Sequence, residues 1–120
     1  MPTNAQTFLN QIVSVTMDRP LGSAHPKHGW TYPVNYGFVP GTLSPDGEEL
    51  DAYVLGVDHA LDQFTGRCIA IVHRLNDNDD KLIVVPDGMT LSDEEIRQAV
   101  DFQERFFASE IVRGVAGNEV

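Results

Sequence analysis

The sequence is short of positive charge. Of its 120 residues only 8 are Lys or Arg, against 18 Asp and Glu, for a formal net charge of −10 at pH 7. Nucleic-acid backbones and anionic membrane surfaces are held by clustered Lys and Arg, so neither is an expected partner. Such acidity suits a soluble protein or one that gathers cations. Cysteine is nearly absent. Cys68 stands alone, which excludes an intrachain disulfide and any zinc site built on cysteine pairs. No apolar run approaches the roughly 20 residues of a membrane span. The opening MPTNAQTFLNQIVSV has neither the basic start nor the long apolar stretch of a signal peptide, so a cytosolic location is expected. Repeats, low-complexity tracts and linkers are missing too. A single domain over residues 1–120 follows from the length and the 42% hydrophobic content.

What is present reads as strands followed by a helix. IVSVTM (12–17) alternates apolar and polar residues, as a half-buried strand does. The stretch 18–33, with three prolines and two glycines, reads as a long excursion. VNYGFV (34–39), LDAYVLGV (50–57), RCIAIVHRL (67–75) and KLIVVP (81–86) are further strands. The SPDG turn at 44–47 and the acidic loop NDNDD at 76–80 separate some of them. The last third predicts a helix. Ser92 and Glu95 form a capping box, flanked by Leu91 and Ile96 as a staple. Ile96, Ala99, Val100, Phe106 and Phe107 supply an apolar face. The expected fold class is α+β, mainly β: a small closed or partly open β-barrel, OB-like, with a long C-terminal helix.

The chemistry concentrates in DGEELD (46–51), which carries four carboxylates in six residues. Asp46 lies in the turn and Asp51 opens the following strand. The loop 76–80 is acidic in the same way, and neighbouring strands would bring the two loops together. Converging carboxylates repel and raise each other's pKa unless a cation stands between them. Mg²⁺, which takes a few carboxylates and waters, is the natural candidate. Acidic loop clusters are also commonly plain solvated turns, and Asp-Gly is a hairpin signal. The spacing is not that of an EF-hand. Strand alternation puts Asp51 and Tyr53 on one face and Leu50 and Ala52 on the other, with Glu49 in solvent. Without metal, repulsion in the cluster would leave Asp51→Asn as stable as the parent, or more so.

YPVNYGFVPGTLSPDGEELDAYVLG followed by NDNDDKLIVVP resembles the central block of the soluble inorganic pyrophosphatases. Members carry a Tyr-Pro-x-Asn-Tyr-Gly segment, an Asp-x-Asp-x-x-Asp signature, and a second acidic loop running into a Lys and an apolar strand. The likeness covers roughly residues 32–86. It implies a small closed barrel with helices and Mg²⁺-dependent hydrolysis of pyrophosphate to two phosphates, with several metal ions and Mn²⁺ as a substitute. It assigns Asp46 and Asp51 to metal, with Asp77 and Asp79 from the second loop and Asp80 as a further candidate there. Glu48 takes the place of the middle signature aspartate, a candidate general base. Tyr36 matches a phosphate-contacting tyrosine and Lys81 a lysine near the site. Arg19 and Lys27 are candidates to replace the family's N-terminal cations, whose hairpin this chain largely lacks. A Tyr-Lys pair that touches phosphate in the family aligns with Phe106 and Phe107, so at least one ring should border the cleft.

Other residues carry less. His25 and His28 sit where they could lean over a site, and His59 and His73 form no metal-ligand spacing. Trp30 is a lid or core edge, and Cys68 a buried small hydrophobe. Two function classes remain. One is a hydrolase of pyrophosphate or another small phosphoanhydride. The other is a catalytically weak or inactive metal- and phosphate-binding relative. The partner is a small molecule in both, and a homo-oligomer is compatible with both.

Overall fold

The computed structural model describes residues 3–44, 47–77 and 79–114. A 3₁₀ turn (Ala5–Phe8) leads into β1 (Ile12–Arg19). Then come β2 (Asn35–Val39), β3 (Leu50–Val54), β4 (Gln63–Arg74) and β5 (Asp80–Val85). The helix α1 (Asp93–Glu104) and a short β6 (Ser109–Val112) complete the chain. Hydrogen-bonded neighbours run β1-β2-β3-β5-β4, and β4 pairs back onto β1. Five strands therefore close into a barrel, with β6 appended to β4. Closure removes the edges that an open sheet would present. All pairings are antiparallel except β3 with β5.

The barrel interior is filled by one set of alternating residues. Val13, Val15, Val39, Leu50, Ala52, Val54, Cys68, Ile71, Leu82 and Val84 form that cluster. The outer set, including Tyr36, Tyr53, Leu55, Val72, Ile83 and Val85, packs beneath Ile96 and Val100 of α1. A register shift between Cys68 and Ala70 lets two residues of equal parity face opposite sides. Gly37 sits where a Cβ would lie 2.0 Å from the Thr16 carbonyl oxygen, so β1 and β2 meet at this spacing only with glycine there. Asn35 is fully buried. Its side-chain oxygen accepts from the amides of Leu21 and Leu61, at 2.9 and 3.0 Å, and its amide donates to the His59 carbonyl at 3.0 Å. It thereby pins the 18–33 excursion and the loop after β3 to the barrel.

Two expectations are corrected. The helix is not long. It spans 12 residues, ends at Glu104 and is followed by β6. A sixth strand therefore follows the helix, and Phe106 and Phe107 lie beyond it. The Leu75 amide donates to the Ala108 carbonyl at 2.8 Å, just ahead of the Arg74–Ser109 pair that opens β6 against β4. The capping box of Ser92 and Glu95 forms as expected. Among the described residues no helix is long and apolar enough to cross a membrane.

Candidate active site

A cleft of about 570 Å³ opens between the barrel wall, the 18–33 excursion and the end of α1. The β1 register shift between Met17 and Arg19 is a bulge, and it turns Asp18 and Arg19 toward this cleft. Tyr36, paired across from Arg19 in β2, lies on the same wall. Lys81 and Arg74 complete the cationic lining. Three of the chain's eight basic residues thus line one cleft of a protein with a net charge of −10. That concentration points to an anionic ligand.

The carboxylates converge on Lys81. Its Nζ donates to Asp51 Oδ2 at 2.5 Å and to Asp79 Oδ2 at 2.9 Å. The parallel β3–β5 pairing, with Asp51 opposite Lys81, makes this meeting possible. Lys81 is 4% exposed. Burial alone would lower its pKa, and the charges of Asp51 and Asp79 more than reverse this, leaving it raised. Tyr36 is held well above the usual phenol value, by burial first and then by the adjacent Asp51. Asp18 is raised by burial, with Arg19 opposing and Asp51 and Glu49 adding to the rise. The expectation that the metal-free carboxylates merely repel is overturned for the described residues, because a lysine stands between Asp51 and Asp79.

A second charge centre supports the first. Arg74 Nε and Nη2 donate to Glu104 Oε1 and Oε2 at 2.9 and 2.8 Å, a bidentate pair with both residues buried. Arg74 Nη1 lies 3.6 Å from Asp77 Oδ2 and 3.9 Å from Asp79 Oδ2. Tyr53 donates to Glu104 at 2.6 Å, Gln103 donates to Tyr53 at 2.7 Å, and Tyr32 donates to Gln103 at 3.0 Å. A continuous polar network therefore runs from Asp51 through Lys81, Asp79 and Arg74 into the helix end. Sequence reasoning missed Arg74, Gln103, Glu104, Tyr32 and Asp18. The available signals were an arginine at the end of an otherwise apolar strand and a glutamate four residues after Val100 on the helix's apolar face.

The other expected residues are distributed as follows. Asp46 lies outside the described residues. Glu48 and Glu49 are both exposed on the turn before β3. The Glu48 backbone carbonyl accepts from Ser44, and Glu48 is not among the residues lining the cleft. Asp80 faces His73, with Oδ1 2.6 Å from Nδ1, and stands apart from Lys81's pair. Lys27 is exposed. His25, His28, Trp30, Phe106 and Phe107 all line the cleft, as the alignment of the phenylalanines anticipates. Asp51 and Asp79 suit a hard divalent ion, being oxygen donors already aimed at one positive centre. Among the described residues, no group of three or more Asp, Glu, His or Cys stands close enough to hold a metal.

A family model described as inorganic pyrophosphatase matches residues 11–112. The inorganic pyrophosphatase of Streptomyces coelicolor is 44% identical over 59 residues, covering 46% of this chain and 36% of that protein. That of a Nostoc species is 34% identical over 91 residues, covering 70% of this chain and 49% of its own length. The match thus spans less than half of either relative. The solved inorganic pyrophosphatase from Ehrlichia chaffeensis superposes with a TM-score of 0.65 at 18% identity, over 91% of this chain and 86% of that one. The Helicobacter pylori enzyme gives 0.64 at 21%, over 85% and 84%. At these identities the structural likeness speaks for the fold alone: mainly β, a closed barrel with one helix.

Proposed function

The chain belongs to the inorganic pyrophosphatase family, whose model it matches from residue 11 to residue 112, and from that premise we propose that it hydrolyses inorganic pyrophosphate to two phosphates with Mg²⁺. The carrying observation is the cleft in which Arg19, Arg74 and Lys81 gather beside Tyr36 while Asp51 and Asp79 meet on Lys81.

In this reading Asp51 and Asp79 hold Mg²⁺, with Asp77 and Asp46 as further ligands and Mn²⁺ as a substitute. The bound ion supplies charge neutralisation and a water acidic enough to lose a proton near neutral pH. Arg19 and Lys81 meet the phosphate oxygens, and the Tyr36 hydroxyl, kept protonated by its raised pKa, donates to one of them. Arg74, held by Glu104, fixes the Asp77–Asp79 loop and faces the cleft. Glu48, which the family resemblance marks as the base for the attacking water, stands on the exposed turn before Asp51 and would have to swing toward the cleft to act there. The test is phosphate release from pyrophosphate with Mg²⁺, with and without EDTA. Release that survives EDTA removes the metal from the reading, and no release at all removes the reading.

A further inference from the structure

We propose that the cleft takes a phosphoanhydride bearing an aromatic ring, a nucleoside di- or triphosphate, in preference to bare pyrophosphate. This rests on the phosphoanhydride hydrolysis proposed above and names its substrate class. The cleft has two walls of opposite chemistry. One holds Arg19, Lys81 and Tyr36; the other is built from His25, His28, Trp30 and Phe106. Its volume of about 570 Å³ falls in the range of pockets for drug-sized ligands. A pyrophosphate seated on the cations fills only part of it and leaves the ring wall uncovered.

The rings are arranged as a platform. His28 and Trp30 stack with centroids 4.9 Å apart and 17° between planes. Trp30 and Phe106 stack at 5.6 Å and 11°. These planes are already in contact, so a base cannot enter between them. The stack ends instead on Phe106, which is 62% exposed, a large apolar surface at the cleft's edge. A nucleobase laid on that face continues the stack, and base–aromatic stacking tolerates any base. On the phosphate side, Arg19 makes no ion pair among the described residues; its Nη1 donates to the Asp18 carbonyl. Lys81 and Arg74 already have carboxylate partners, so Arg19 is the cation most available to a phosphate tail.

The reaction balances as hydrolysis. The water oxygen bonds to the terminal phosphorus, and that phosphorus loses its bond to the bridging oxygen. The bridging oxygen leaves on the nucleoside phosphate, and the two water protons end on the products or in solvent.

Trp30 is the chain's single tryptophan, so its fluorescence reports ligands without turnover. The protein is titrated with adenosine diphosphate, pyrophosphate and tripolyphosphate in Mg²⁺, and phosphate release is measured on the same three. The expected result is quenching by the nucleotide, with binding and kcat/KM about 10-fold above pyrophosphate and tripolyphosphate, the size of one stacked base. Phe106→Ala, a change at an exposed position, should collapse that ratio. Equal binding and rates for all three overturn the ring-specific inference while leaving pyrophosphate hydrolysis intact. Nucleotide binding and turnover without any release from pyrophosphate upholds it and removes bare pyrophosphate as substrate. A ratio unchanged in Phe106→Ala also overturns it, because the preference would then come from elsewhere.

Discussion

Replacing Glu104 with glutamine isolates the buried charge centre behind the cleft. Glu104 is 5% exposed and accepts three hydrogen bonds, two from Arg74 and one from Tyr53. Burial by itself would lower the Arg74 pKa, and the Glu104 bonds and charge reverse this, so the arginine depends on that carboxylate. An amide keeps one acceptor oxygen and turns an NH₂ group against the guanidinium. Removing one partner of a buried pair costs about 3–5 kcal/mol. Arg74 retains Asp77 at 3.6 Å and Asp79 at 3.9 Å, which argues for the low end. We therefore expect a loss of about 3 kcal/mol, or about 12 °C in Tm for a domain of this size. Thermal unfolding followed by circular dichroism at neutral pH in EDTA reads it. Adding Arg74→Met removes the stranded charge and should recover at least about 1 kcal/mol. A single-variant loss below about 4 °C, or a double variant worse than the sum of its parts, refutes Glu104 as the counter-ion.

Asp51→Asn should abolish Mg²⁺-dependent phosphate release and also lower Tm in EDTA, since it leaves buried Lys81 with Asp79 alone; a Tm equal to or above the parent's would restore simple carboxylate repulsion. Gly37→Ala should prevent stable folding, because its Cβ would meet the Thr16 carbonyl oxygen at 2.0 Å; soluble expression with a parent-like melting curve would contradict the β1–β2 spacing. Alkaline titration tests Tyr36, Tyr53 and Lys81 together. Their folded pKa values are raised above 10.0, 10.0 and 10.5, so their contribution to stability is complete below those values and drains away as pH rises through the folded ones. Tyrosinate absorbance from these two rings should appear only with unfolding; its appearance in still-folded protein would show that they are not held as described.

Local features were legible in the sequence. The Ser92–Glu95 box is a contact three residues apart, and it forms where the pattern places it. Alternation over 12–17 and apolar runs bounded by turn residues located five strands, although β4 starts at Gln63 and β3 stops at Val54, because end residues take their state from whichever partner strand is available. The same alternation separated Leu50 and Ala52 from Asp51 and Tyr53, and the structure puts the first pair in the barrel interior and Tyr53 beneath the helix. β6 escaped notice: its four residues carry too little pattern and exist as a strand only by pairing with β4.

The site divides along the same line. The acidic clusters drew attention to the two loops, and the resemblance to the pyrophosphatases marked Asp51, Asp79, Tyr36, Lys81 and Arg19 as candidates. Which charge neutralises which was settled only by strand pairing. Asp51 and Lys81 lie 30 positions apart and meet because β3 and β5 are parallel neighbours. Arg74 and Glu104, also 30 apart, meet because α1 ends over the barrel's outer face. A capping box is encoded within one helical turn, where backbone geometry alone brings its partners together. An ion pair across a closed barrel exists only after long loops have been closed, and the burial this creates decides its strength.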